Sequence, residues 1–377
     1  MSVFIFRHLR RNAVVYVALL FALSGTSYGA TNALLLPRNS VGTQRVINTS
    51  LRRIDVSSGQ LPRGGRAARS SAGKTTQADM PELDLTPLST AYGSRQHTFA
   101  DLYMPASKEM AKVVLYLPTG YKVDLAKPPG AHIGSAVAFD SNGVGTLAQI
   151  VVDDPASHTA DACAPGLHQA VWLLNVANPS KLPVIPILVD TTSGTEAGLG
   201  GVKAQFCLPP SSSGTERVRL LSLDLGMLTN PSTAGSYTWR AYVTPYAAGA
   251  PNDAGTFELR ATLPLPIRLT LKGGYNKRSH TALLTGRLVA PAYRHATPGV
   301  YLDLYQRRSA QHWGFVRYIR LDRHGAFAIK RKLRKTATFF VETANWDDCA
   351  SGPTAPAGCV GDTLANIDSP TARVRVR

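Results

Sequence analysis

After residue 95, apolar and polar residues alternate with a period of two, in short runs separated by Pro, Gly and Asn. That period places successive side chains on opposite faces, the mark of half-buried β-strands rather than helices. It predicts strands at Thr98–Tyr103, Lys112–Leu117, Ala136–Phe139, Leu147–Asp153, Ala170–Val176, Leu182–Val189, Ala204–Leu208, Val218–Leu225, Ser236–Thr244 and Gly255–Ala261. Beyond Pro264-Leu265-Pro266 it predicts Ile267–Leu271, Ala282–Val289, Val300–Gln306, Phe315–Leu321, Phe327–Lys330, Thr338–Glu342 and Thr371–Val376. Short strands without intervening helices predict an all-β protein with two β-sandwich domains, 95–263 and 264–377. The Pro-Leu-Pro triplet reads as a stiff hinge between them.

The first 94 residues break this pattern. Arg7, Arg10 and Arg11 precede an uncharged apolar run, Ala13–Leu23, and small residues follow from Ser24 to Ala30. A basic head, a short greasy middle and small residues at −3 and −1 (Ser27 and Gly29) predict a secretory signal peptide over 1–29, cut before Ala30. Eleven apolar residues fall short of the ~20 that cross a bilayer. The alternative, an uncleaved anchor reaching Leu34-Leu35-Leu36, places Ser, Thr, Gly and Asn residues in lipid at a cost. Membrane contact is therefore expected only through this segment, if it is uncleaved. Residues 30–94 read as a low-complexity basic linker, and the expected location is extracellular or cell-envelope associated. Two motif matches are coincidences of composition. Ala68–Thr75 fits a relaxed P-loop but lacks a preceding strand and a following helix. Gly25–Gly29 fits G-x-S-x-G but lies at the cleavage site.

Charge divides the chain. Residues 80–263 carry a net −4 and residues 264–377 a net +12 within a total of +17. In an exported protein this basic end points to anionic wall polymers rather than nucleic acid. Cys163, Cys207, Cys349 and Cys359 allow three pairings, of which Cys163–Cys207 and Cys349–Cys359 is the simplest. No C-x-x-C occurs and no His lies at ligand spacing, so no metal site and no cofactor are expected.

Certain stretches carry a resemblance. Leu36-Pro37-Arg38-Asn39-Ser40-Val41-Gly42-Thr43, with Ile54-Asp55-Val56 after it, resembles a segment that follows the signal peptide in exported actinobacterial proteins. Asp153-Asp154-Pro155, Cys163-Ala164-Pro165-Gly166-Leu167-His168 and Asn230 through Trp239 resemble the D-D-P, C-A-P-G-x-H and N-P-x-x-A-G-x-Y-T-W elements of an exported domain of that group. Within the last element, Ala234–Trp239 is similar to the start of strand F in immunoglobulin-like folds. That likeness implies that Tyr237 ties the corner to nearby backbone and that Trp239 enters the core. Leu284–Leu288, Pro298-Gly299-Val300, Asp322–Phe327 and Ala337–Thr343 resemble a compact bacterial Ig-like or prealbumin-like module, with Gly325 in the turn. The resemblance implies an exported structural or binding module.

Candidate sites are few. Asp153 and Asp154 point to opposite faces of a strand, so a turn at Pro155 explains them better than paired acid–base catalysis. His158 and His168 flank Cys163 without a recognisable nucleophile. Asn345 through Asp362 holds carboxylates beside Cys349 and Cys359, an oxygen-rich loop of the kind that binds calcium, but without a D-x-D-x-D-G pattern. Lys330, Arg331, Lys332, Arg334 and Lys335 form the sharpest charge run, a solvated loop or a dock for anionic polymers. Tyr301, Tyr305, Trp313 and Tyr318 are the residues able to stack on sugars, or else to pack a small sandwich. The expectation is a non-catalytic exported module. A cell-wall polysaccharide binder and a secreted hydrolase with an unrecognised site are the alternatives.

Overall fold

Leu83 and Leu85, Ala100 and Leu102, and Val113 and Leu115 hold every second position of their strands, and each is at most 1% exposed. The computed structural model describes residues 81–104, 108–139, 145–176, 182–210, 218, 220–292, 301–309, 312–343 and 362–376, all within one compact unit. The signal segment, the N-S-V-G-T element, both chance motifs, Cys349, Cys359 and the calcium-loop residues Asn345–Gly361 lie outside the described residues.

The strands are β1 (Glu82–Pro87), β2 (Arg95–Tyr103), β3 (Met110–Leu117), β4 (Lys122–Val123), β5 (His132–Phe139), β6 (Gly145–Asp153) and β7 (Ala170–Val176). There follow β8 (Ile185–Thr191), β9 (Val202–Cys207), β10 (Leu220–Thr229), β11 (Gly235–Ala247), β12 (Ala250–Pro251) and β13 (Phe257–Leu265). The C-terminal set is β14 (Arg268–Asn276), β15 (Thr281–Val289), β16 (Tyr301–Arg307), β17 (Trp313–Arg320), β18 (Ala326–Lys332), β19 (Ala337–Thr343), β20 (Asp362–Leu364) and β21 (Ala372–Val374). The protein is all-β, as the alternation predicts.

The first sheet runs β1-β2-β10-β5-β6-β7-β8-β9-β3-β11-β13-β20, with β4 beside β10 and β12 beside β11. Its two ends meet. Ala365 N donates to Thr262 O at 2.9 Å, and Asn366 N donates to Leu85 O at 2.7 Å. The stretch from β20 to Asn366 thus joins the β13 edge to the β1 edge, and neither is left open for another strand. The inward faces pack on Trp239, Phe206, Met104, Met110 and Ile150, all fully buried. Trp239 stands edge-on to Tyr121 at 5.3 Å between ring centroids.

The C-terminal strands form two facing sheets, β14-β15-β18 and β17-β16-β19-β21. One apolar cluster runs from Leu83 to Val374 through both regions. Asp322 and Ala326 close the β17–β18 turn, where Gly325 takes a φ of 73° that side chains disfavour.

Three expectations change at particular residues. Residues 82–87, read as linker, form β1, because Leu83 and Leu85 have a core face to fill. Pro264 and Leu265, read as a hinge, are the buried end of β13, paired to Ser236 and Gly235, with a cis bond at Leu265–Pro266. Asp362–Leu364, within the range read as the C-terminal domain, pairs in parallel with β13.

Candidate functional site

The predicted basic run is divided by strand geometry. Lys330, Arg331 and Lys332 belong to β18, and only Leu333–Thr336 form the turn to β19. Alternation therefore sends Lys330 and Lys332 outward and Arg331 inward, beside buried Phe327 and Ile329. Arg331 Nη2 donates to Gln306 Oε1 at 3.0 Å across the sandwich. Burial, then repulsion from Arg308, lowers the Arg331 pKa. Arg331 thus leaves the surface patch, while Arg334 and Lys335 are exposed in the turn.

The register builds a larger basic face than the run itself. Arg287 pairs with Thr270, Lys272 with Thr285, Lys330 with Leu283 and Lys332 with Thr281. Paired residues share a face, so Arg268, Lys272, Arg287, Lys330 and Lys332 all stand exposed on the outer side of β14-β15-β18. These three strands contain no Asp or Glu. Arg268, Lys272 and Arg287 were missed in the sequence because they are isolated there; only pairing across strands collects them.

The second feature is a loop strapped onto the first sheet. β6 ends at Asp153, and Asp154 Oδ1 accepts from Ala156 N at 3.0 Å to cap the 3-10 turn Pro155–His158. Asp153 Oδ2 meets His158 Nε2 at 2.8 Å, and that hydrogen bond lowers the Asp153 pKa. The two carboxylates serve the turn, as the expected strand end implies. Farther on, Cys163 is bonded to Cys207 of β9, and Gln205 Nε2 donates to Cys163 O at 2.7 Å. His168, 7% exposed, meets Asp190 Oδ2 through Nδ1 at 2.9 Å and Ala164 O through Nε2 at 2.8 Å. A carbonyl only accepts and a carboxylate favours a donor, so this pair of contacts suits the imidazolium. Burial opposes the charge, but Asp190, the Ala164 carbonyl and Asp161 outweigh it, and the pKa is raised. With both ring nitrogens engaged, His168 has none to activate a nucleophile.

The third motif holds a corner. Asn230 is 2% exposed and its Nδ2 donates to Ser89 O and Ala91 O, each at 3.0 Å, while Gln96 Nε2 donates to its Oδ1. Tyr237 donates its hydroxyl proton to Thr233 O at 2.9 Å, and Trp239 is fully buried. The tie and the core position implied by the strand-F likeness are both present.

Of the four aromatic candidates, Tyr305 stacks on Phe340 at 4.8 Å and Trp313 meets Phe340 edge-on at 4.8 Å. Phe340 is 3% exposed, and burial raises the Tyr305 pKa. These rings pack on one another. Among the described residues no group of three or more His, Cys, Asp and Glu is placed to hold a metal ion.

Fold and side chains together define an all-β, disulfide-bearing sandwich protein with a basic C-terminal face. No family model matches the chain, and no curated protein matches it. Solved structures similar to it include domains D2 and D3 of the major pilin SpaD from Corynebacterium diphtheriae, 9% identical over 70% of this chain and 82% of that one, TM-score 0.24. The adhesin InvE of Yersinia pseudotuberculosis is 11% identical over 78% of this chain and 61% of that one, TM-score 0.17. A β-1,2-glucanase from Parabacteroides distasonis is 10% identical over 76% and 31%, TM-score 0.18.

Proposed function

We propose that the chain is an exported, non-catalytic module of the cell envelope that docks on anionic polymers through the outer face of β14-β15-β18. The observation that supports this most directly is the set Arg268, Lys272, Arg287, Lys330 and Lys332, exposed on one face of strands without a single acidic residue. The Cys163–Cys207 disulfide suits an oxidising compartment, in keeping with the signal read from Met1–Gly29. Exposed charges at this density attract a polyanion over about one Debye length, ~10 Å at 0.1 M salt, and lose reach as salt rises. Cosedimentation of the full chain with isolated cell walls tests the reading. Wild type should pellet at low salt and be released by roughly 0.5 M NaCl. The triple variant K272E/K330E/K332E should stay in solution throughout. Pelleting that ignores both salt and the triple variant would sink the proposal.

A further inference from the structure

A second basic feature lies on the other sheet of the C-terminal sandwich, where β16 and β21 end and β19 begins. On its outer face Arg307 pairs with Trp313, and Thr338 pairs with Arg373. β16 and β19 are in register through Gln306 and Phe339, so the next position sets Arg307 beside Thr338. Arg307, Thr338 and Arg373 therefore form one row across three strands, at about 4.8 Å per strand. A hydroxyl stands between two guanidinium arms. These residues line a cleft of about 570 Å³ together with Arg308, Thr336 and Thr371, and no acidic side chain is among the described residues that line it.

Arg307 is held in place by its neighbours. Arg307 Nε donates to Ser309 O at 3.2 Å, and its guanidinium carbon lies 5.9 Å from the Trp313 ring centroid. Arg308 N donates to His312 O at 2.8 Å, which closes the turn. The Arg308 side chain crosses Gly314, where a Cβ would come within 2.6 Å of its Nε. Gly314 pairs with Gln306, so this crossing lies on the sandwich side of the sheet, behind the row. Arg331 sits close enough to Arg308 for the two to repel, so positive potential is concentrated at this corner.

Two guanidinium-bearing residues in one row, with a hydroxyl-bearing residue between them, offer donors for the several oxygens of a tetrahedral oxyanion. A flat carboxylate is satisfied by one guanidinium fork. We infer that this cleft binds the phosphoryl group of a phosphate-bearing polymer, with the Arg307–Thr338–Arg373 row on its oxygens. The inference uses none of the residues of the basic face.

The test is calorimetric titration of the full chain with inorganic phosphate, with a poly(glycerol phosphate) oligomer, and with polyglutamate of matched charge. Both phosphate probes should bind wild type. R373K keeps the charge but loses the fork, and should weaken both roughly tenfold while polyglutamate binding is unchanged. T338V should weaken the phosphate probes several-fold, with an unchanged melting temperature showing that the strand is intact. K272E/K330E/K332E should leave the inorganic phosphate affinity alone, so failure of the basic face and failure of the cleft read out separately. Phosphate affinities within twofold of wild type in both cleft variants would overturn the inference. So would polyglutamate following phosphate in every variant. Binding of inorganic phosphate with exclusion of the oligomer would assign the cleft to the free ion and overturn the polymer.

Discussion

Substituting His168 by Gln removes the group whose charge ties the strapped loop to Asp190 of β8. The imidazolium grips Asp190 at 2.9 Å and Ala164 O at 2.8 Å. A neutral ring keeps one N–H and must give up one of the two. Net hydrogen bonds to charged groups are worth about 1.5–3 kcal/mol, and a side chain 7% exposed is little screened, so loss of one contact should cost about 2 kcal/mol. The folded-state pKa is raised above the ordinary histidine value. The contribution is therefore complete below about pH 6.5, the unfolded value, and is lost as pH rises through the folded value. Asp190 and Asp161 face the ring, and Glu196, whose hydrogen bond to Lys203 holds it below the usual carboxylate range, lies near Asp190. Urea unfolding of wild type and H168Q from pH 6 to 9 should show a stability gap of about 2 kcal/mol at pH 6 that closes towards pH 9. In melting temperature that gap is about 3 °C for a folded region of this size. A gap that stays constant or widens with pH, or an imidazole NMR titration with its midpoint at or below the ordinary value, would refute the reasoning.

Removing the disulfide as C163S/C207S reopens a 44-residue separation and should lower stability by about 4 kcal/mol in the chain-entropy model; a loss under about 1 kcal/mol in urea unfolding would show that the strap's hydrogen bonds hold the loop alone. Tyr237→Phe deletes the 2.9 Å tie to Thr233 O and should cost about 1 kcal/mol, read as a lower unfolding midpoint with unchanged near-ultraviolet signal from Trp239. An unchanged midpoint would mean the corner holds without that hydroxyl.

Strand positions were legible because period-two burial governs them. Ala170–Val176 is recovered residue for residue, and most others differ at their ends. β1 was not legible. Glu82 and Asp84 alternate with its two leucines and read as linker polarity, yet Asp84 is only 1% exposed once β2 lies alongside. Pro264 read as a breaker because proline cannot donate to a ladder, but β13 ends there. The motif residues were legible as a set and not in their roles. Cys163 was readable as a disulfide partner from the cysteine count, whereas Ala164 O, His168 and Asp190 meet only after β7 and β8 pair. The basic face was half legible, since a consecutive charge run is visible in sequence. Its division between two faces, and its completion from β14 and β15, are not.

The two regions use charge differently, and this bears on why only one of them presents it. In the first sheet cations are answered by neighbours. Glu258 takes Arg240 and Arg260, and although burial works against its charge, those hydrogen bonds hold its pKa below the usual carboxylate range. Glu196 takes Lys203 at 2.9 Å and accepts from the Tyr116 hydroxyl at 3.0 Å. Such pairs fix side chains on the sheet and cancel its field at distance. β14, β15 and β18 supply cations and no acid of their own, although Asp322 of the β17–β18 turn lies near enough to Arg287 to feel its charge, and alternation turns five of the cations to one side. Because Ala365 and Asn366 close the first sheet between Thr262 and Leu85, those two edges are not available for β-strand addition. The proposed docking on anionic polymers therefore draws on side-chain charge on the outer face of β14-β15-β18 rather than on those edges, and salt is the agent that should release it.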